Sequence, residues 1–158
     1  MELNMTFEDI AKNLKTFIAN NMTEELSKLE DEEVILPTVE EENISIGVVD
    51  VDANENDILC NIYPDEESDN DTSMACINMS TSLTVTFLFR NADYDILIKR
   101  MIRYSAAFRR ALFNDYTINN SVDDVSIGVR KFYPDCGTTE NQMTGVEIPL
   151  VISTSEEV

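Results

Sequence analysis

The chain has 158 residues, a formal net charge of −20, and neither histidine nor tryptophan. With 43% hydrophobic and 27% charged residues it has the balance of an ordinary globular protein, long enough for one domain with its own core. The missing histidine excludes Ser-His-Asp and Cys-His catalysis and removes the commonest zinc ligand. The charge argues against duplex DNA or an anionic membrane as a direct ligand.

A first helix is predicted from Thr6, which can cap with Asp9 as the acidic partner of a capping box. Phe7, Ile10, Ala11, Leu14, Phe17 and Ile18 then share one face, and Thr23-Glu24-Glu25-Leu26 predicts a short continuation to about Glu30. Residues 30–42, EDEEVILPTVEEE, read as an acidic linker, with Pro37 blocking a helix. Three strands are expected next, at 44–51, 58–63 and 82–90; in the last, Leu83, Val85, Phe87 and Phe89 alternate with Thr84 and Thr86. Between the last two lies a long polar insertion at 64–80, expected to be an exposed, mobile loop with at most a short extra strand near Ala75–Met79.

A second long helix is predicted from Asn91 or Asp93 to about Asn114. Leu97, Met101, Tyr104, Phe108 and Leu112 form its core stripe. Lys99, Arg103 and Arg110 point the opposite way, with Arg100 on the flank, and Ile102, Ala106 and Phe113 lie beside that basic face. Apolar groups next to arginines read either as a wide apolar face or as the rim of a subunit interface. Two strands close the chain, at 125–133 and 144–153; Pro149 implies an edge position or a bulge there. The expected fold is α+β, in the order α-β-β-β-α-β-β. One twisted, mainly antiparallel sheet of about five strands, drawn as a meander, carries two helices on one face.

Charge is unevenly spread. Residues 1–89 hold 21 acids against Lys12, Lys15 and Lys28, a balance of −18, and residues 90–158 hold 10 acids against eight bases, a balance of −2. Such segregation can serve head-to-tail contact between copies. The densest acidic run is Asp65, Glu66, Glu67, Asp69 and Asp71, read as a solvated loop or, repeated around a ring, as a focused negative field. Asp50 to Asp57 begins like a calcium loop, but Glu55 stands where glycine is needed and Asn61 where the bidentate glutamate is needed, so a polar turn is the reading and no metal or cofactor is expected. Cys60, Cys76 and Cys136, odd in number and widely spaced, read as reduced thiols. MELNMTFEDI lacks the basic and apolar regions of a secretory signal, and no run approaches a membrane span.

In element order, with the helix IKRMIRYSAAFRRAL after the strand LTVTFLF and the late strands VSIGVRKFY and GVEIPLVIS, the chain resembles phage tail terminator and head–tail joining proteins over roughly residues 6–153. The resemblance implies a non-enzymatic virion subunit, assembled in the host cytoplasm. It forms a ring, with a hexamer favoured, that caps the tail tube, meets tail-tube and head-connector proteins, and lets DNA pass without specific binding. On that reading Lys99, Arg100, Ile102, Arg103, Arg110 and Phe113 form a subunit interface, while Asp65, Glu66, Glu67, Asp69 and Asp71 face the lumen or a neighbour. Three other readings stand beside it: an acidic mimic of DNA that inhibits a nucleic-acid-binding enzyme, an enzyme using paired carboxylates and a metal, and another phage neck or tail-tube subunit.

Overall fold

The structure is a computed structural model that describes residues 6–48, 51, 55–72 and 76–157, without the side chains of 70–72, 156 and 157. The elements are α1 (Phe7–Asn21), α2 (Thr23–Leu29), a 3-10 turn (Glu41–Asn43), β1 (Ile44–Ile46), β2 (Ile58–Thr72), β3 (Cys76–Arg90), α3 (Tyr94–Asn114), β4 (Asp124–Ile127), β5 (Lys131–Tyr133) and β6 (Met143–Glu157). They form the α+β arrangement expected, a sheet in the order β1-β2-β3-β6-β4 with β5 also on β6.

Local chemistry sets the helices. At α1 the Asp9 amide donates to Thr6 Oγ1 and the Thr6 amide donates to Asp9 Oδ2 at 3.0 Å, the reciprocal pair of a capping box. The apolar stripe of α1 (Ile10, Ala11, Leu14, Phe17 and Ile18) is buried. On α3 the buried stripe is Leu97, Met101, Tyr104, Phe108 and Leu112, as the spacing predicts. Opposite these helices, Leu83, Val85, Phe87 and Phe89 of β3 and Val146, Ile148, Leu150 and Ile152 of β6 present one continuous apolar face. Its centre is aromatic: Phe87 lies 5.9 Å from both Tyr104 and Phe108, and Phe89 lies 5.0 Å from Tyr104, in tilted and edge-on geometries. Thr144 ties the layers together by donating to the Leu97 carbonyl at 2.9 Å.

Several expectations are corrected. The described residues of the insertion, 64–72 and 76–80, are strand rather than loop, and 73–75 lie outside the described residues. β2 and β3 carry the ladder outward to Thr72 and Cys76, and β6 pairs β3 from Arg90↔Met143 to Cys76↔Glu157. Serine and threonine on β3, paired on both sides, satisfy their backbone within the sheet, so an acidic partner strand can remain extended at the edge. Fifteen residues of strand reach roughly 50 Å, whereas the 21 residues of α3 cover only about 30 Å. The distal part of β2, β3 and β6 therefore forms an arm beyond the helices.

The sheet is also not a simple meander. β1 pairs parallel to β2, and β3 lies between β2 and β6. The strand expected over 44–51 spans only Ile44–Ile46, and part of that segment, 49–50, lies outside the described residues, as do 52–54. The strand expected at 125–133 is two short ones. The break coincides with Pro149: the Gly128 amide donates to the Pro149 carbonyl at 2.8 Å, so the proline's missing N–H would point to the same side, where Gly128–Arg130 leave the ladder. Pro149 thus sits inside β6 at the junction of β4 and β5, not on an outer edge. The acidic linker at 30–42 lies against the body as a strap, with Val34, Leu36 and Val39 buried in the core.

After α3, Ile118, Asn119 and Asn120 all have positive φ, at 49°, 57° and 62°. Asp115 holds this turn by accepting from the amides of Thr117 and Asn119. Ile118 bears the strain because its side chain is buried. Asn119 is exposed, so Asn119→Gly is expected to raise the melting temperature slightly and Asn119→Ala to cost about 1 kcal/mol in a thermal or urea melt.

Candidate functional site

The two charged surfaces singled out in the sequence have different fates. On α3, most of the basic face is occupied by the chain's own strap. Lys99 Nζ lies 3.4 Å from Glu33 Oε2, Arg103 Nη2 lies 3.0 Å from Asp31 Oδ2, and Arg100 Nε donates to the Ile35 carbonyl at 3.2 Å. Tyr104 donates its hydroxyl to the Pro37 carbonyl. The strap is shaped to meet them. Asp31 Oδ1 accepts from the amides of Glu33 and Val34, and Glu30 Oε2 accepts from the Leu36 amide at 2.8 Å. The Arg103 guanidinium, with the Val34 and Glu33 amides, holds the Asp31 carboxyl below the usual carboxylate range, while burial pushes the Tyr104 phenol up. Lys99, Arg100 and Arg103 thus make intramolecular contacts with the strap.

What remains open on α3 is its other flank and its C-terminal end. Ile102 is 52% and Phe113 86% exposed, large values for such side chains. Arg109 and Arg110 are exposed and make no ion pair among the described residues. Together with Glu25, Lys28 and Asn114, Phe113 and these two arginines line a groove of about 460 Å³ between the ends of α2 and α3. Glu25 is buried there and already engaged, accepting from Asn114 Nδ2 at 3.1 Å and from Lys28 Nζ at 3.3 Å. Sequence reading passed over Arg109. The signal was present: Arg109 lies seven residues after Ile102 and four before Phe113, on one helical stripe.

The acidic run lies on β2. Asp65, at a bulge, accepts from Thr84 Oγ1 at 2.7 Å, and Glu67 accepts from Thr81 Oγ1 at 3.4 Å. Asp65, Glu66, Glu67 and Asp69 are exposed and form no ion pair among the described residues; the side chain of Asp71 lies outside them. The outer edge of this strand is guarded. The Ile62 carbonyl accepts from Gly47 on that side, so Pro64, two residues on, turns its donor-less nitrogen outward. Bulge, proline and carboxylates together oppose addition of a further strand.

The sheet face away from the helices is mixed, with Tyr63, Leu88, Val151 and Tyr133 standing among polar groups. By register it carries Ser82, Thr84 and Thr86 of β3, Glu147, Pro149 and Ser153 of β6, Asp124 and Ser126 of β4, and Lys131 of β5, with Asp65 hydrogen-bonded onto it. The charged groups on this face are mostly carboxylates, whereas five of the basic residues sit on α3.

No group of three or more acids and cysteines able to hold a metal occurs among the described residues. A cleft of about 610 Å³ is lined by Arg90, Asn91, Cys136, Thr138, Glu140 and Gln142 among others, and Arg90 is committed to the Asn56 and Val51 carbonyls. Asn61 is likewise satisfied, accepting from Ser45 Oγ and donating to the Gly47 carbonyl. No described helix is long and apolar enough to cross a membrane. Neither a protein-family model nor a characterised protein matches the chain by sequence.

The strap contact yields a pH test. A folded-state pKa below the unfolded value gives stability that is present above about pH 4 and lost as the pH falls through the folded value. Asp31→Asn should therefore lower the melting temperature at neutral pH, and the gap from the unsubstituted protein should close as the pH falls below about 4. A gap independent of pH would assign the effect to packing.

Proposed function

We propose that this chain is a non-catalytic, ring-forming structural subunit of the phage tail-terminator or head–tail joining kind. The observation that carries the reading is the contrast between α3 and the uncovered sheet face. The charged groups placed on that face by register are mostly carboxylates, among them Asp124 and Glu147, beside hydroxyls and a few apolar groups, while α3 carries five cations and the exposed Phe113. Set around an axis with the sheet inward, such subunits line an opening that repels a nucleic-acid backbone, so DNA passes without being held. The same chain then meets tail-tube and head-connector proteins through the rims of the ring, and its life runs from the host cytoplasm to the virion.

A second reading has one specific observation in its favour. Asp65, Glu66, Glu67 and Asp69 stand along an extended strand, a regular array of carboxylates of the kind a DNA mimic presents to a basic enzyme. The two readings part in solution. The ring reading expects sedimentation velocity to reveal a closed oligomer that does not grow further with concentration, and no retardation of duplex DNA at physiological salt. A protein monomeric at every concentration, or one that retains DNA, would contradict it. A monomer that co-elutes with a DNA-binding enzyme would favour the mimic.

A further inference from the structure

We infer that the groove at the C-terminal ends of α2 and α3 receives the acidic arm of a second copy of this chain, with Arg109 and Arg110 facing Glu67 and Asp69. The inference rests on the ring reading and names the contact that would build it.

Three observations lead there. First, the helix-face cations nearest the strap are spent within the chain on Asp31, Glu33 and the Ile35 carbonyl, so they cannot serve a neighbour without breaking those contacts. Arg109 and Arg110 have no such partner among the described residues, and they flank Phe113, which is 86% exposed on the rim of a groove of about 460 Å³. An exposed aromatic between two free guanidinium groups is the composition of an interface anchor.

Second, the chain supplies the complementary surface elsewhere. Glu67 lies opposite Thr81 and Asp69 opposite Met79, on the side of the sheet that the helices occupy. Both carboxylates are exposed and form no ion pair among the described residues. In a molecule of net charge −20 an unneutralised acidic arm is repelled by almost every surface of another copy, and the arginine groove is one of few places it can approach.

Third, the outer edge of the arm is blocked against strand addition by Pro64 and the bulge at Asp65. The contact is therefore made by side chains rather than by a continued ladder. Groove and arm are different surfaces, so the contact is heterologous, the type that closes into a ring or runs on as a filament.

The test uses two charge-reversed variants of the full chain. R109E/R110E has an acidic groove and an acidic arm; E67K/D69K has a basic groove and a basic arm. All four positions are exposed, and circular dichroism with thermal melting checks that each variant folds. Sedimentation velocity at physiological salt is expected to show self-association weakened by about tenfold or more for each variant alone. Mixing them in equal amounts restores it, because every groove–arm pair is then opposite in sign. Variants that associate like the unsubstituted protein overturn this contact and leave the ring reading standing. Weakened variants that do not rescue one another also overturn it. If the unsubstituted protein does not associate, this contact and the ring reading fall together.

Discussion

The structure depends on a sheet with one apolar face. On β3 and β6 every second side chain is a large apolar group, so one face must be covered and the other need not be. α1 and α3 supply the cover, and Phe87, with Tyr104 and Phe108 both 5.9 Å away, marks where the layers lock. Leaving the other face open decides what the molecule presents to its surroundings: rows of hydroxyls and carboxylates on a surface stiffened by the ladder on its far side. The same strands run on past the helices, so the core also fixes the base of the polar arm.

A chain this acidic must manage self-repulsion, and the strap shows how part of it is managed. Asp31 and Glu33 lie against Arg103 and Lys99, while Val34, Leu36 and Val39 fill the core beneath. The pairs are partly exposed and weak one by one, but the buried apolar residues fix the strap and spare the ion pairs most of the entropic cost of meeting. The result is that acidic residues neutralise the middle of α3 from within. The arginines at its C-terminal end have no counterpart in the strap, and the free positive charge of the helix is concentrated there beside Phe113.

Much of this was legible in the sequence. The periodicities of α1, α3, β3 and β6 named the core residues, and Thr6 with Asp9 named the first cap, because those signals are local. The arm was not legible. Asp65 to Asp71 has the composition of a loop, and only its partner β3, itself held by β6 on the other side, keeps it extended. The parallel pairing of β1 and the break at Gly128 are tertiary choices too. Of the interface residues, Phe113, Ile102 and Arg110 are exposed as expected. Lys99, Arg100 and Arg103 contact the strap, which was not legible, since a helical wheel shows which way a side chain points but not what packs over it. Arg109 was passed over although its spacing from Ile102 and Phe113 placed it on the exposed stripe.

The function proposed above is that copies of this chain stand side by side, sheet faces inward, around a negatively charged opening. Negative-stain electron microscopy of the associated protein tests this most directly. The account predicts class averages of closed rings of uniform copy number with a central hole wide enough for duplex DNA. Solid particles, open filaments or isolated monomers in the images would contradict it.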